Sequence, residues 1–161
     1  MRTFTEADVR LEDWTRGRLF VFDDPAARAN KAMLERHFVA EWNNDIEATM
    51  RTIHRQAPWQ RIPSLGTDVN GFEAVREFYL QRFKSWPGPA MKSFDRATVG
   101  PASIYVEGRM EIRPKGQFGG VEAAGVLISS PTVVVIDFLD GLILGETVYV
   151  DAGALRRNEH A

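Results

Sequence analysis

The sequence contains no cysteine, which excludes disulfide bonds, thiolate nucleophiles and cysteine-ligated zinc. Histidine is scarce as well: there are 3 in 161 residues, and they are scattered rather than paired at the spacing of a metal-binding helix. No glycine-rich loop that would cradle a phosphate follows a predicted strand. We therefore expect neither a metal ion nor an organic cofactor.

Excess charge and long apolar runs are also lacking. The 20 lysine and arginine residues nearly balance the 22 acidic residues, so the formal net charge is -2 and nucleic acid is not an expected partner. Even the longest apolar runs, such as Val133 to Ile136, are too short to cross a bilayer. The first residues are acidic rather than apolar and do not resemble a signal peptide. These features favour a cytoplasmic protein without a membrane partner.

The length and a hydrophobic content of 44% indicate one globular domain. We assign residues 1–24 to an N-terminal arm that packs on the domain, and residues 25–157 to the domain itself. Helical spacing of apolar residues predicts three helices. They are expected to begin at Asp24-Pro25, Asp45 and Asn70-Gly71.

After Met91 the pattern changes to the alternation of strands. Pro131 interrupts a long β-branched run and suggests a bulge or bend, while Asp140-Gly141 is a strong signal for a tight hairpin. Helices followed by a meander of strands predict an α+β fold, in which a curved antiparallel sheet packs on three N-terminal helices.

Five segments, in this order, resemble the nuclear transport factor 2-like superfamily. They are Asn44–Ala48, Trp59–Pro63, Gly71–Tyr79, Asp140–Ile143 and Val148–Asp151. Within that superfamily the chain is similar to SnoaL-like polyketide cyclases, limonene-epoxide hydrolases and ketosteroid isomerases. The resemblance implies a cone-shaped barrel, a deep pocket for a bulky hydrophobic or aromatic small molecule, and a homodimer built on the outer sheet face. It does not name a reaction, because the scaffold hosts many chemistries.

The resemblance also implies which individual residues match the catalytic positions of related enzymes. His37 matches the catalytic tyrosine of ketosteroid-isomerase-like members, whereas Arg61 or Ile62 stands where they have an aspartate, and Val135 stands near their protonated aspartate. This chain therefore departs from the isomerase pattern.

The epoxide-hydrolase pattern is also kept only in part. Arg109 and Glu111 match its Arg-x-Asp pair, with glutamate replacing aspartate. Val148 stands at its second aspartate, and Trp59 and Arg61 replace the tyrosine and asparagine that hold the water.

We take His37, Arg109, Glu111 and Arg61 as the candidate catalytic residues. An imidazole can take up or release a proton near neutral pH, and Glu41, one helical turn later, can orient it. Arg109 and Glu111 share one face of a strand, where they can polarise or deprotonate an oxygen. The alternatives are a structural histidine and a solvated strand face.

The candidate substrate-binding residues are Trp59, Tyr105, Tyr79, Asp137 and His54. The aromatic members can line a pocket or belong to the core. Asp137 lies in an apolar run, where burial would raise its pKa, although it can equally be exposed. His54 lies near a helix C-terminus, which favours a structural role.

These residues favour acid–base chemistry, and within it a lyase-type elimination or retro-aldol cleavage. Epoxide hydrolysis, cyclisation and isomerisation remain open, as do a non-catalytic apolar-ligand carrier and an interaction module. If the polar face of the strand at 103–113 lines the pocket, its apolar face must be covered by a second copy in a homodimer. That face consists of Ile104, Val106, Met110 and Ile112.

Overall fold

The computed structural model describes residues 2–118, 121–151 and 153. The helices of this part of the chain are α1 (Leu11–Thr15), α2 (Pro25–Trp42), α3 (Ile46–Arg51) and α4 (Phe72–Ser85). The strands are β1 (Leu19–Val21), β2 (Trp59–Ile62), β3 (Thr67–Asn70), β4 (Met91–Val99), β5 (Ser103–Ile112), β6 (Gln117–Phe118), β7 (Val121–Glu122), β8 (Ile128–Leu139) and β9 (Leu142–Val150). Single 3-10 turns lie at Glu6–Asp8 and Pro63–Leu65.

Helices α2, α3 and α4 begin where the sequence predicts. The Asp24 carboxylate accepts a hydrogen bond from the amide of Ala26 at 2.7 Å, and Pro25 occupies the first turn of α2. Asp45 caps α3 in the same way, by accepting from the amide of Ala48 at 2.9 Å. Gly71 precedes α4 with a φ of 96°, a conformation that glycine adopts without strain.

Seven strands form one curved, open sheet in the order β1-β4-β5-β8-β9-β2-β3. The sheet is mixed rather than antiparallel as predicted, because β1 pairs in parallel with β4, and β2 in parallel with β9. Both parallel strands come from the N-terminal half and are inserted beside the C-terminal meander. The α+β class and the cone-like wrapping of the sheet on the helices are confirmed.

Two local predictions for the long strands have different outcomes. The Asp140-Gly141 hairpin is confirmed, and both residues adopt the positive φ that a two-residue turn requires, 52° and 74°. Of the bulge or bend predicted at Pro131, the bulge is wrong, because this residue pairs regularly with Arg109 and the register shift lies at Asp137 and Phe138. Pro131 is tolerated because β9 pairing begins only at Thr132, so the missing N–H faces no neighbouring strand.

The core lies between α2, α4 and the inner face of the sheet. The apolar residues of β5 point into it, with Ile104 and Val106 at 0% exposure and Met110 at 6%. This corrects the expectation that a second copy covers that face. The polar face, with Tyr105, is the one that points outward.

The N-terminal arm is built into the domain. Val9 and Leu11 are fully buried, and β1 adds a strand at one edge of the sheet. The predicted end of the domain at residue 157 lies outside the described residues. Among the helices that the structure describes, none has the length and apolar character needed to span a bilayer.

Candidate functional site

A narrow cavity of about 70 Å³ lies between α2, α4 and the inner face of the sheet. Its walls are mostly aromatic and aliphatic, and include Phe38, Trp42, Phe78, Trp86, Met91, Met110, Val134 and Val148. Pockets for drug-sized ligands usually measure roughly 300–1,000 Å³. The cavity is therefore apolar, as expected, but much smaller than a pocket for a bulky ring system.

Six polar side chains also line the cavity: Glu41, Gln60, Tyr79, Arg82, Thr132 and Glu146. Local structure explains their convergence. Tyr79 and Arg82 are three residues apart on α4 and share a helix face. Glu146 stands directly opposite Gln60 in the β2–β9 register, and both are buried on the inner face of the sheet.

His37 lies one helical turn before Glu41 on α2, and its ring is 2% exposed. Its Nδ1 is 2.7 Å from the Thr52 hydroxyl, which lies 2.6 Å from the carbonyl of Thr49. A carbonyl can only accept, so the hydroxyl donates to Thr49 and accepts from His37. Nδ1 therefore carries a proton, and Nε2 is the nitrogen that faces the polar cluster.

Nε2 of His37 has two neighbours. The Tyr79 hydroxyl is 3.2 Å away and Oε1 of Glu41 is 3.3 Å away. Tyr79 also reaches Oε2 of Glu146 at 3.4 Å. A continuous hydrogen-bonded path therefore runs from Thr52 through His37 and Tyr79 to Glu146.

Arg82 supplies the positive charge of the cluster and is 6% exposed. Its Nη2 lies 3.6 Å from Oε2 of Glu41 and donates to the carbonyl of Gly88 at 3.3 Å. Its Nη1 is buried and has no hydrogen-bond partner among the residues that the structure describes. The guanidinium thus keeps an unused donor on a side chain that lines the cavity.

The two buried carboxyl groups, Glu41 and Glu146, have very different pKa values. Burial raises the pKa of Glu41, but the charge of Arg82 and the imidazole of His37 outweigh it and lower that pKa to about 2. Burial and the negative charge of Glu41 raise the pKa of Glu146 to about 7. Burial also raises the pKa of Tyr79 well above its ordinary value, so the phenol stays neutral.

A cation could in principle use the same cluster. His37, Glu41 and Glu146 each offer one ligand atom, and these atoms lie within 4.8 Å of one another. Histidine spacing alone does not reveal this set, because it combines a His-x-x-x-Glu pair on α2 with a carboxylate from β9. Arg82 and the Tyr79 hydroxyl already satisfy these groups, so the cluster fits a cation poorly.

Of the nine site residues predicted from the sequence, the structure brings His37 and Tyr79 together. Trp59 and Arg61 lie on the outer face of β2, where Arg61 stacks over the Trp59 ring and forms an ion pair with Asp68 at 3.0 Å. The residue between them, Gln60, is the one that points into the cavity.

Arg109, Glu111 and Tyr105 lie on the outer face of β5, away from the cavity. Arg109 donates to the hydroxyl of Ser129 at 3.2 Å, and Glu111 is 3.9 Å from Lys92. The structure therefore does not bring these residues to His37.

Asp137 and His54 lie outside the cavity as well. The Asp137 carboxylate accepts a hydrogen bond from the hydroxyl of Ser103 near the end of the sheet. His54 contacts the carbonyl of Gln56 at 3.2 Å and lies 3.9 Å from Asp140. Both residues have local structural partners.

Four residues of the site are not predicted from the sequence: Glu146, Arg82, Gln60 and Thr52. Signals are present for two of them. Glu146 is a single carboxylate within the apolar strand β9, and Arg82 follows Tyr79 on the buried stripe of α4. Gln60 and Thr52 carry no signal of their own, because their relevance depends on which residues face them across the core.

Solved structures with this architecture are numerous although their sequences differ. A protein from Jannaschia sp. CCS1, named as a SnoaL-like polyketide cyclase, matches with a TM-score of 0.70 over 84% of this chain and 94% of its own, at 21% identity. A nuclear transport factor 2-like protein from Burkholderia xenovorans LB400 matches with a TM-score of 0.64 over 81% and 95%, at 16% identity. This chain has the nuclear transport factor 2-like fold.

Another protein with this fold binds a small molecule. It comes from Catenulispora acidiphila, has a ketosteroid-isomerase-like fold and was solved in complex with trimethylamine. It matches with a TM-score of 0.64 over 80% of this chain and 92% of its own, at 10% identity. No protein-family model and no curated protein sequence matches the chain. The similarity therefore establishes the nuclear transport factor 2-like fold, and the reaction must be inferred from the residues of the site.

Proposed function

We propose that the protein is an enzyme that transfers protons on a small, largely apolar molecule, with Glu146 as its acid–base residue. One observation carries the proposal: two buried carboxyl groups line one apolar cavity, and their pKa values lie at about 2 and about 7. When two carboxyl groups have pKa values this far apart, one stays ionised and the other exchanges protons near neutral pH.

The neighbouring residues take supporting roles in this proposal. Glu146 lines the cavity and exchanges the proton with the substrate, while Tyr79 connects it to Nε2 of His37. His37 thus acts as the proton partner behind the lining residues, and Glu41 remains the anion that balances Arg82. Arg82 offers Nη1 to an oxygen on which negative charge develops.

Among acid–base reactions we favour a lyase-type elimination or retro-aldol cleavage. Either reaction needs one group that takes up or gives a proton and one donor that stabilises the oxygen, and Glu146 and Arg82 supply this pair. Cyclisation and isomerisation use the same groups, and the names of similar structures include polyketide cyclases and an isomerase. Epoxide hydrolysis is a further alternative on this scaffold.

The cavity favours a substrate smaller than the ring systems implied by the sequence resemblance. A volume of about 70 Å³ accommodates only a few non-hydrogen atoms beside the aromatic walls. The residues predicted on the outer faces, such as Arg109 and Arg61, would not contact a substrate held there.

A non-catalytic role is the second candidate. The trimethylamine complex of a protein with the same fold favours small-ligand binding as a function of such cavities. In that case the protein would hold its ligand unchanged, and Glu146 would affect affinity only.

Proton exchange distinguishes the two candidates even while the substrate is unidentified. The protein is incubated in D₂O with a panel of small ketones, 3-hydroxyketones and 3-hydroxyacids, and NMR follows deuterium incorporation and C–C or C–O cleavage. We expect at least one compound to react, with a loss of roughly 10²–10⁴-fold in Glu146→Gln. Glu77→Gln, an exposed carboxylate on α4, is the matched control. If Glu146→Gln exchanges protons at the wild-type rate, the proposed role of Glu146 is wrong.

A homodimer is also part of the proposed function. The outer sheet face carries exposed apolar side chains on three adjacent strands: Tyr105 on β5, Val133 on β8 and Tyr149 on β9. A second copy packed on this face would remove them from water.

A further inference from the structure

The unused donor of Arg82 points to the kind of ligand that the cavity takes. Arg82 is a buried cation that lines the cavity, and its Nη1 has no acceptor among the described residues. A buried guanidinium N–H without an acceptor is unfavourable, and such groups in native proteins usually have a ligand or water partner. A guanidinium recognises carboxylate oxygens through planar, charge-assisted hydrogen bonds.

The charges around the cavity decide whether an anion can enter. The titratable groups that face Glu146 are His37 and Glu41 from α2, and Tyr79 and Arg82 from α4. Glu41 is the anionic partner of Arg82, and Tyr79 is neutral. When Glu146 is protonated, the lining therefore holds one anion and one cation, together with an O–H donor on Glu146.

We propose that this cavity binds a small organic acid, whose carboxylate accepts a hydrogen bond from Nη1 of Arg82 and whose apolar part packs against Phe38 and Trp42. As a statement about the substrate, the proposal rests on the proposed function. As a statement about binding, it can be tested without any turnover. The proposal fits a molecule of about five non-hydrogen atoms, the scale set by the volume of the cavity.

Protonation of Glu146 should accompany binding. A carboxylate ligand placed beside a second carboxylate requires one proton between them, just as paired carboxylates share a proton in other sites. Glu146, with a pKa of about 7, provides that proton below neutral pH and loses it above. The affinity for an acid should therefore fall by about tenfold between pH 6 and pH 8.

Propionate and its neutral isostere propionamide are suitable probes. Isothermal titration measures their affinities, and quenching of tryptophan fluorescence reports entry, because Trp42 and Trp86 line the cavity. At pH 6 we expect propionate to bind at least tenfold more tightly than propionamide. Equal affinity of the two probes, or no binding of propionate, would overturn the proposal.

Two variants test the assigned residues. Arg82→Lys keeps the charge beside Glu41 but loses Nη1 and the planar guanidinium, so the preference for propionate over propionamide should weaken, whereas Arg36→Lys, an exposed residue of α2, should keep it. Glu146→Gln keeps a neutral donor and should bind propionate equally at pH 6 and pH 8. A Glu146→Gln protein with the wild-type pH dependence contradicts the proposal even if Arg82→Lys fails to fold.

The result is separable from that of the exchange experiment. If propionate binds as described and no compound exchanges protons, the site is a binding site and the catalytic proposal is wrong. If exchange occurs and propionate does not bind, the enzyme proposal stands and the organic-acid class is wrong.

Discussion

The Thr52 hydroxyl fixes the proton position of His37. It donates to the carbonyl of Thr49 at 2.6 Å and accepts from Nδ1 of the imidazole at 2.7 Å. This arrangement leaves Nε2 as the nitrogen that faces the Tyr79 hydroxyl and the Glu41 carboxylate. A threonine at the end of α3 therefore determines how a histidine on α2 faces the cavity.

Thr52→Val should change the tautomer of His37. The variant leaves a buried imidazole N–H without an acceptor, which costs about 1–3 kcal/mol and favours transfer of the proton to Nε2. Long-range ¹H–¹⁵N NMR of the imidazole measures the tautomer populations directly. Thr49→Val is the control, because the Thr49 hydroxyl bonds to Asp45 and only its carbonyl, which the substitution keeps, contacts Thr52. An unchanged tautomer in Thr52→Val would contradict this assignment.

Glu146 should make the protein less stable as the pH rises from about 4.5 to about 7. The pKa of its carboxyl is about 7 in the folded protein against an ordinary value of 4.5, so the folded state binds more protons in this window. Each pKa unit corresponds to about 1.4 kcal/mol, which sets an upper limit of about 3 kcal/mol on the loss. Urea unfolding at pH 5 and pH 8 should show this loss in wild type and a smaller one in Glu146→Gln. An equal loss of stability in both proteins would show that a group other than Glu146 causes the pH dependence.

The sequence predicts most of the fold because its signals are local. Capping by Asp24 and Asp45, and the turn at Asp140-Gly141, depend on residues a few positions apart. The parallel pairing of β2 with β9 is not local, and no pattern within either strand reveals it. This is why the sequence alone predicts an antiparallel sheet.

The candidate site is harder to predict, because alternation along a strand defines two faces and does not say which is inner. On β2 the sequence favours Trp59 and Arg61 as site residues, but Gln60 between them faces the cavity. On β5 it favours Arg109, but the next residue, Met110, faces the cavity. An isolated carboxylate in an apolar run is a valid signal, but it points to Asp137 on β8 as readily as to Glu146 on β9. The choice between faces depends on how the helices cover the sheet.

Gly145→Ala should destabilise the protein by about 1–3 kcal/mol, as overpacking does in other cores. A Cβ at this position would lie 2.1 Å from Cε2 of the Trp59 indole, which covers the glycine. Chemical denaturation measures the loss, and Gly116→Ala should be neutral because, in the part of the chain that the structure describes, no atom beyond the adjacent residues lies within 4 Å of the added Cβ. In a Trp59→Ala background the Gly145→Ala substitution should cost less, since its steric partner is gone. Equal costs in both backgrounds would show that the clash is not the cause.

Divalent metal ions should not stabilise the protein, although His37, Glu41 and Glu146 converge. Arg82 lies 3.6 Å from Glu41, and the Tyr79 hydroxyl contacts both other groups, so a cation would have to displace existing partners. Thermal melting with Zn²⁺ or Mn²⁺ should match melting with a chelator. A rise in melting temperature that Glu146→Gln abolishes would instead identify a metal site.

The outer sheet face should mediate a homodimer at micromolar concentration. Val133 on β8 pairs directly with Tyr149 on β9, and these side chains are 37% and 52% exposed, so an apolar patch spans neighbouring strands. Tyr149→Lys places a charge in the patch, whose burial is unfavourable, and should give a monomer with an unchanged circular dichroism spectrum. Val126→Lys, an exposed apolar residue outside these strands, should remain dimeric. Light scattering coupled to size-exclusion chromatography measures the masses of the wild type and the two variants. A monomeric wild-type protein would refute the dimer.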